Sequence, residues 1–318
     1  MLEAARRCSI KTLAFTDHDS VMSPDTLEML WGTKSDTNWI SGIEITSGLP
    51  RELGGGVYSS LHVTGLFVDP LNRGLIEHCQ KAQNARIERM EGIVKNLRRL
   101  GFDISVDDCL RASGGEAVGR PHIVEALRQR PRNLEIISKI KEDMELAAQK
   151  DEELRKKYEL LLQRGEAQYP YGLFLTETSF IPDVYVEFQY WSDLEKSVSL
   201  VRDAGGVALI AHYFTAKSKI PFEMLEKFLK DKVVDGAETV YGIHAWGTDE
   251  WATLDRERKM VRELVHRYDC YEGGGADAHS YEDLQYFSRV NEVSSETEGF
   301  AERIIAKGNV AVEFSSFA

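Results

Sequence analysis

At 318 residues, with 42% apolar and 29% charged side chains, the chain has the composition of a globular protein large enough to bury an extensive core. Its formal net charge of −13 argues against a long nucleic-acid track, because polyanion binding rests on many Lys and Arg contacts to phosphate. A small phosphorylated substrate stays open, since bound cations reverse a local field. No secretory or membrane-spanning apolar run is present, and Cys8, Cys79, Cys109 and Cys270 form no C-x-x-C pair. The expectation is a cytoplasmic protein that contacts no membrane, with reduced thiols packing as small hydrophobes.

In chain order, KTLAFT (11–16), WISGIEIT (39–46) and LHVTGLFV (61–68) read as buried strands, short and rich in β-branched residues. Residues 71–100 carry apolar positions at helical spacing (Ile76, Ile87, Met90, Val94, Leu97) and stop at Gly101. From 105 to 165 the chain reads as helical throughout, with a Glu- and Lys-dense part expected to be a solvated face laced with i,i+4 pairs. The aromatic, proline-punctuated stretch 166–190 reads as loops and irregular strands. Alternation then resumes, with helices at 193–204, 222–230 and 248–267 leading into strands GVALIAH, GAETVY and DCYEGGGADAHS. Strands separated by helices imply parallel βαβ units, hence an α/β domain interrupted by a helical insert.

Several strands run into ionisable residues. LAFT leads to Asp17 and His18, ISGIE brings in Glu44, VALIA ends in His212, GAETVY carries Glu238, and CYEGGGA ends in Asp277 and His279. In parallel barrels, side chains at the strands' C-terminal ends converge on one point. His, Asp and Glu are the ligands that divalent cations take, and leaving several buried without partners costs kcal/mol. His62 fits this argument less well, since it opens an apolar run instead of closing one. Asp19 reads as a cap of the following turn, and His78 and His266 as surface or interface histidines.

Together TDHD (16–19), GIEIT (42–46), HVTGLFVD (62–69), GRPHIVEAL (119–127), AGGVALIAHY (204–213), GAETVY (236–241) and GADAHS (275–280) resemble the PHP superfamily, named for polymerase and histidinol phosphatase. That resemblance implies a distorted seven-stranded β/α barrel with two or three divalent metals (Mn, Zn, Fe or Mg). GRPH is similar to the nucleoside-phosphate and short-RNA phosphoesterase branch, which carries a helical insert. The expected division is 1–115 and 182–318 for the two barrel halves and 116–181 for the insertion. By the same resemblance, Glu44 bridges two metals, His62 and His212 complete the second, Asp277 serves the first, and His18 and His279 the third. His18, Glu44, His212 and Asp277 would carry catalysis through a metal-bound hydroxide, with Asp17 orienting His18 from behind. Arg120 would grip the substrate phosphate, while His122 either assists or packs the helix start. Glu238 would lie near the site without being a ligand, and His244 matches a loop His of no settled role.

The family opens with a strand carrying His-x-His, upstream of Thr-Asp-His, that supplies two ligands of the first metal. Here Met1 falls inside the first helix. The expectation is a barrel without its first strand and an incomplete first metal site, from a late start codon or a fragmentary gene model. The alternatives are a histidinol-phosphate-like phosphatase and a catalytically impaired metal- or phosphate-binding module.

Overall fold

The computed structural model describes residues 1–53, 61–114, 118–163, 165–190, 192–216, 220–241, 248–279, 281–289, 295–308 and 310–318. In chain order the elements are α1 (Leu2–Arg7), β1 (Thr12–Phe15), α2 (Pro24–Gly32), β2 (Asn38–Ser47), β3 (Leu61–Leu66) and α3 (Arg73–Arg99). Helices α4 (Val106–Ala112), α5 (Arg120–Arg128), α6 (Pro131–Ala148) and α7 (Glu152–Leu162) follow. The chain continues with α8 (Leu194–Asp203), β4 (Val207–Ile210), α9 (Tyr213–Ala216), α10 (Phe222–Lys230), β5 (Gly236–Tyr241) and α11 (Thr248–Arg267). It ends with β6 (Tyr271–Gly275), α12 (Tyr281–Arg289) and α13 (Phe300–Ala306). Two compact units form, one from Met1–Cys79 with Trp191–Ala318, the other from Gln80–Tyr190.

The first unit is built on a six-stranded sheet in the order β1-β2-β3-β4-β5-β6, curled into a half-barrel. The β1–β2, β4–β5 and β5–β6 pairs are parallel, as helices α2, α10 and α11 between them require. β3 departs from the all-parallel reading and runs antiparallel to both β2 and β4. Periodicity carries no strand direction; the connection does, and an antiparallel return needs no crossover helix. Ile43, Ile45, Val63, Ile210 and Ala237 of the strands join Leu194, Val198, Val201, Leu225, Phe228, Val261 and Leu264 of α8, α10 and α11 in one core. Each such side chain contributes about 1.5–3 kcal/mol on burial.

In the second unit the expected continuous helix is broken into four. Ser105 caps α4 and exchanges hydrogen bonds with Asp108, Pro131 opens α6, and the Asp151 carboxylate accepts from Leu154 N at α7. Each is a helix-start signal that a count of Glu and Lys hides. The expected charge pairs do form, with Glu152–Lys156 and Glu153–Lys157 at 3.6 and 3.4 Å. Residues 166–190 hold short helical turns, including a π-turn at Tyr171–Leu175, and no strand is assigned among the described residues there. Met90, Ile93, Val94 and Leu97 from the second half of α3 share a core with Leu127, Ile140, Met144 and Phe174. Among the described residues, no helix is long and apolar enough to cross a membrane.

Two glycines permit the β5–β6 approach. A Cβ on Gly236 would lie 1.9 Å from the Tyr271 carbonyl oxygen, and one on Gly274, at φ +134°, would lie 2.1 Å from that of Val240. Gly236→Ala should therefore destabilise the fold by about 3 kcal/mol, the upper end of overpacking costs, because backbone cannot rotate away. Gly32→Ala, which meets nothing within 4 Å, should change stability little. Thermal unfolding of both variants checks the contrast.

Candidate metal centre

Beyond β1, residues 16–19 continue along β2. The Asp17 carbonyl accepts the Glu44 N–H at 3.1 Å, the Glu44 carbonyl accepts the Asp19 N–H at 2.8 Å, and His18 bridges to Glu44. The Asp17 side chain is exposed. Asp19 is buried at φ +48°, and its carboxylate accepts the Thr46 N–H at 2.8 Å and the Thr46 hydroxyl at 2.7 Å. It is therefore a cross-strand clamp on β2 and not the cap of the next turn; Ser23 caps α2. His78 is likewise buried and not at the surface, with Nε2 3.6 Å from Asp19 Oδ1. His266 is exposed and pairs with Glu272 at 3.2 Å.

Glu44 sits at the focus of the site. It is 7% exposed, and its Oε1 lies 2.5 Å from His62 Nδ1 and 2.9 Å from His212 Nε2. Those two ring nitrogens are 3.2 Å apart, and His18 Nδ1 is 3.6 Å from Glu44 Oε2. Reversal of β3 explains His62. Because β3 is antiparallel, its first residues stand at the same sheet edge as the last residues of β2 and β4, with His62 opposite Thr46. A histidine that opens this strand is thus equivalent to one that closes its neighbours.

β4 ends in His212 at φ +24°, whose backbone N–H donates to Glu238 Oε2 at 2.7 Å. The other oxygen of Glu238 accepts the Thr64 hydroxyl at 2.7 Å, so one buried carboxylate on β5 joins β3 to the exit of β4. Burial pushes the Glu238 carboxyl upward, against the His212 charge and these two donors. Asp277 follows β6 at φ +47° and is hydrogen-bonded to Tyr241, whose hydroxyl is held protonated by burial and by that carboxylate. His279 is exposed, with its ring 6.1 Å from that of His18. Three of the strand exits therefore carry non-glycine residues in the left-handed region, at Asp19, His212 and Asp277. Such strain gathers at functional sites. Thr64 and Tyr241 were not among the residues singled out in the sequence; a hydroxyl within an apolar strand was the only signal. His244 lies outside the described residues.

His18, Glu44 and His62 place one ligand atom each within 4.8 Å of one another, and His212 joins them through Glu44. Imidazoles around one carboxylate are a donor set for a borderline divalent cation, so the residues present fit such an ion. Without it, the same groups pair with each other. Burial pulls His212 down, yet the Glu44 hydrogen bond and the charges of Glu238, Glu44 and Asp277 lift it to about 9. Burial raises the Glu44 carboxyl, and the bonds from His212 and His62 more than reverse this, leaving it well below its ordinary range.

Arg120 and His122 lie in the second unit. Arg120 opens α5, with Nη1 3.4 Å from the Leu175 carbonyl oxygen. His122 Nδ1 accepts the Gly119 N–H at 2.9 Å, tying down the helix start, and burial lowers its pKa.

Two outcomes follow from this geometry. The folded pKa of His212 exceeds its ordinary 6.5, so its contribution to stability is complete below that value and lost as pH rises through about 9. Thermal unfolding in chelator should show a melting temperature falling from pH 7 to 10, with a shallower fall in His212→Asn. Glu238→Ala should cost about 2–4 kcal/mol, by orphaning the His212 N–H and the Thr64 hydroxyl and opening a cavity. Divalent-cation affinity, read by titration calorimetry, should fall with it. Glu238→Gln should keep most of both, because the Thr64 hydroxyl can turn to accept.

No family model matches the chain. A 5'-3' exoribonuclease of Haemophilus influenzae is 23% identical over 275 residues, spanning 85% of this chain and 80% of that protein. Among solved structures, a protein assigned as a metal-dependent phosphoesterase from Bifidobacterium adolescentis aligns with a TM-score of 0.56 at 21% identity, over 88% of this chain and 81% of its own. An amidohydrolase from Chromobacterium violaceum, with bound sulfate and no metal, aligns at 0.58 and 20% identity, over 87% and 80%. The chain is thus similar to hydrolases across most of its length, and it shares the α/β fold of these two structures.

Proposed function

We propose that the chain is a metal-dependent phosphoesterase of the PHP type that hydrolyses phosphate esters of nucleotides or short oligonucleotides. The observation that carries this reading is the convergence of His18, His62 and His212 on the buried Glu44 carboxylate from four separate stretches of chain. Glu44 would be shared between two cations, with His62 and His212 on one and Asp277 on the other. His18 and His279 would hold a third. Bound divalent cations supply a water acidified toward neutral pH and positive charge against the phosphoryl oxygens.

The chain's own residues prepare that chemistry. Glu44 stays ionised although buried, so its lone pairs are ready without a proton to remove. Glu238 holds the main chain of His212, and Asp19 holds β2 beside Glu44. Tyr241 keeps its proton and remains a hydrogen-bond donor beside Asp277. The phosphoesterase assignment of one neighbour and the exoribonuclease name of the distant relative support phosphate esters of nucleic-acid fragments over amides.

The purified chain, supplied with Mn or Zn, should release phosphate or nucleotides from nucleotides and 5'-phosphorylated short oligonucleotides faster than phosphate from histidinol phosphate. Glu44→Gln should bring turnover to background. Amide hydrolysis without phosphate release would sink the reading, as would undiminished turnover in Glu44→Gln.

A further inference from the structure

We propose that Arg86, Arg89 and Arg120 form a phosphate-binding patch within the second unit, and that it takes the phosphodiester groups of a short single-stranded oligonucleotide. Arg86 and Arg89 are three residues apart on α3 and share a helix face. Each guanidinium is laid over an aromatic ring. The Arg86 Cζ is 5.0 Å from the Phe188 ring, that of Arg89 5.3 Å from Tyr185, and that of Arg120 5.8 Å from Tyr171. Arg89 is further fixed by Nε, which donates to the Val186 carbonyl at 2.7 Å. A guanidinium stacked on a ring keeps its in-plane N–H edge for a second partner, and that edge matches a phosphate with two parallel hydrogen bonds.

The three cations are also close enough to oppose one another. Burial first, then the charges of Arg120 and Arg86, push the Arg89 guanidinium down to about 10, against Tyr185 and Glu187. All three side chains are half-buried, so water screens this repulsion incompletely. An anion lying across them would relieve it. Gln80–Tyr190 holds eighteen Lys and Arg against nineteen Asp and Glu, so nearly all of the chain's net charge of −13 belongs to the other unit. A polyanion therefore meets far less repulsion at this unit. Three separately mounted forks suit more than one phosphate, and the half-buried rings of Tyr171 and Tyr185 beside them suit bases, which stack on any aromatic face.

This patch rests on the nucleic-acid reading above, and binding is measured apart from turnover to keep the two separable. Fluorescence anisotropy of a 5'-phosphorylated trinucleotide with the full, metal-free chain over a salt series reads the patch alone. Arg86→Gln and Arg120→Gln should each weaken affinity about tenfold and flatten the log–log salt slope by about 0.7 per lost contact. Arg89→Lys, which keeps the charge and loses the fork, should also weaken it. Lys141→Gln, removing a cation set 5.1 Å over the Tyr169 ring in the same unit, should leave affinity unchanged. Failure of the wild-type chain to bind the trinucleotide overturns the patch, as do unchanged affinity in both Gln variants or an equal loss in Lys141→Gln. Tripolyphosphate competing as well as unlabelled trinucleotide overturns the oligonucleotide assignment. Binding without hydrolysis when cations are added counts against the phosphoesterase reading and leaves the patch standing.

Discussion

One buried carboxylate organises this molecule. Glu44 lies at the centre of β2 among apolar neighbours, where an isolated charge would be prohibitively costly. Ring nitrogens brought from the ends of three other segments are what make it tolerable. Those segments must all finish at the same sheet edge, and this requirement extends outward through the fold. β3 must run backwards so that its first residues arrive there. The main chain must turn sharply at Asp19, His212 and Asp277, and buried acids must hold two of these turns in place. Asp19 does so through Thr46, and Glu238 does so for His212. The outer carboxylates thus serve the inner one.

Much of this could be read from residues alone, because the relevant signals were local. GAETVY becomes a strand over the same residues, 236–241, and the carboxylate and imidazoles at 44, 62 and 212 meet as their positions near strand ends implied. What could not be read depends on partners far away in the chain. His78 looks like any histidine on an amphipathic helix, and only Asp19, brought alongside by folding, accounts for its burial. Asp19 itself has the spacing of a turn cap, and its actual partner, Thr46, lies across the sheet. Strand direction is invisible for a related reason. An apolar run reads the same forwards and backwards, so the puzzle posed by His62 dissolved only when β3 was seen to be reversed.

The second unit teaches a different lesson. Its charge-rich sequence reads as one long solvated helix, whereas caps at Ser105, Pro131 and Asp151 divide it. The insertion was placed at 116–181 from sequence; the compact unit runs Gln80–Tyr190 and includes the second half of α3. Helical periodicity continues unbroken through α3, although the side chains along it pack into different cores. Leu75 and Cys79 belong to one, and Met90 through Leu97 to the other. A change of neighbours leaves no mark in a hydrophobic pattern.

The left-handed residues at the strand exits also bear on how this protein would respond to selection. His212 and Asp277 hold conformations that glycine adopts freely, and Glu44 occupies a place in the core that an apolar side chain would fill at no electrostatic cost. A directed-evolution screen for heat resistance alone would have an obvious route: glycine or asparagine at 212 and 277, and a hydrophobe at 44. Each step would strengthen the fold while dismantling what it is shaped to hold. The residues that persist against that gradient are the ones kept for chemistry.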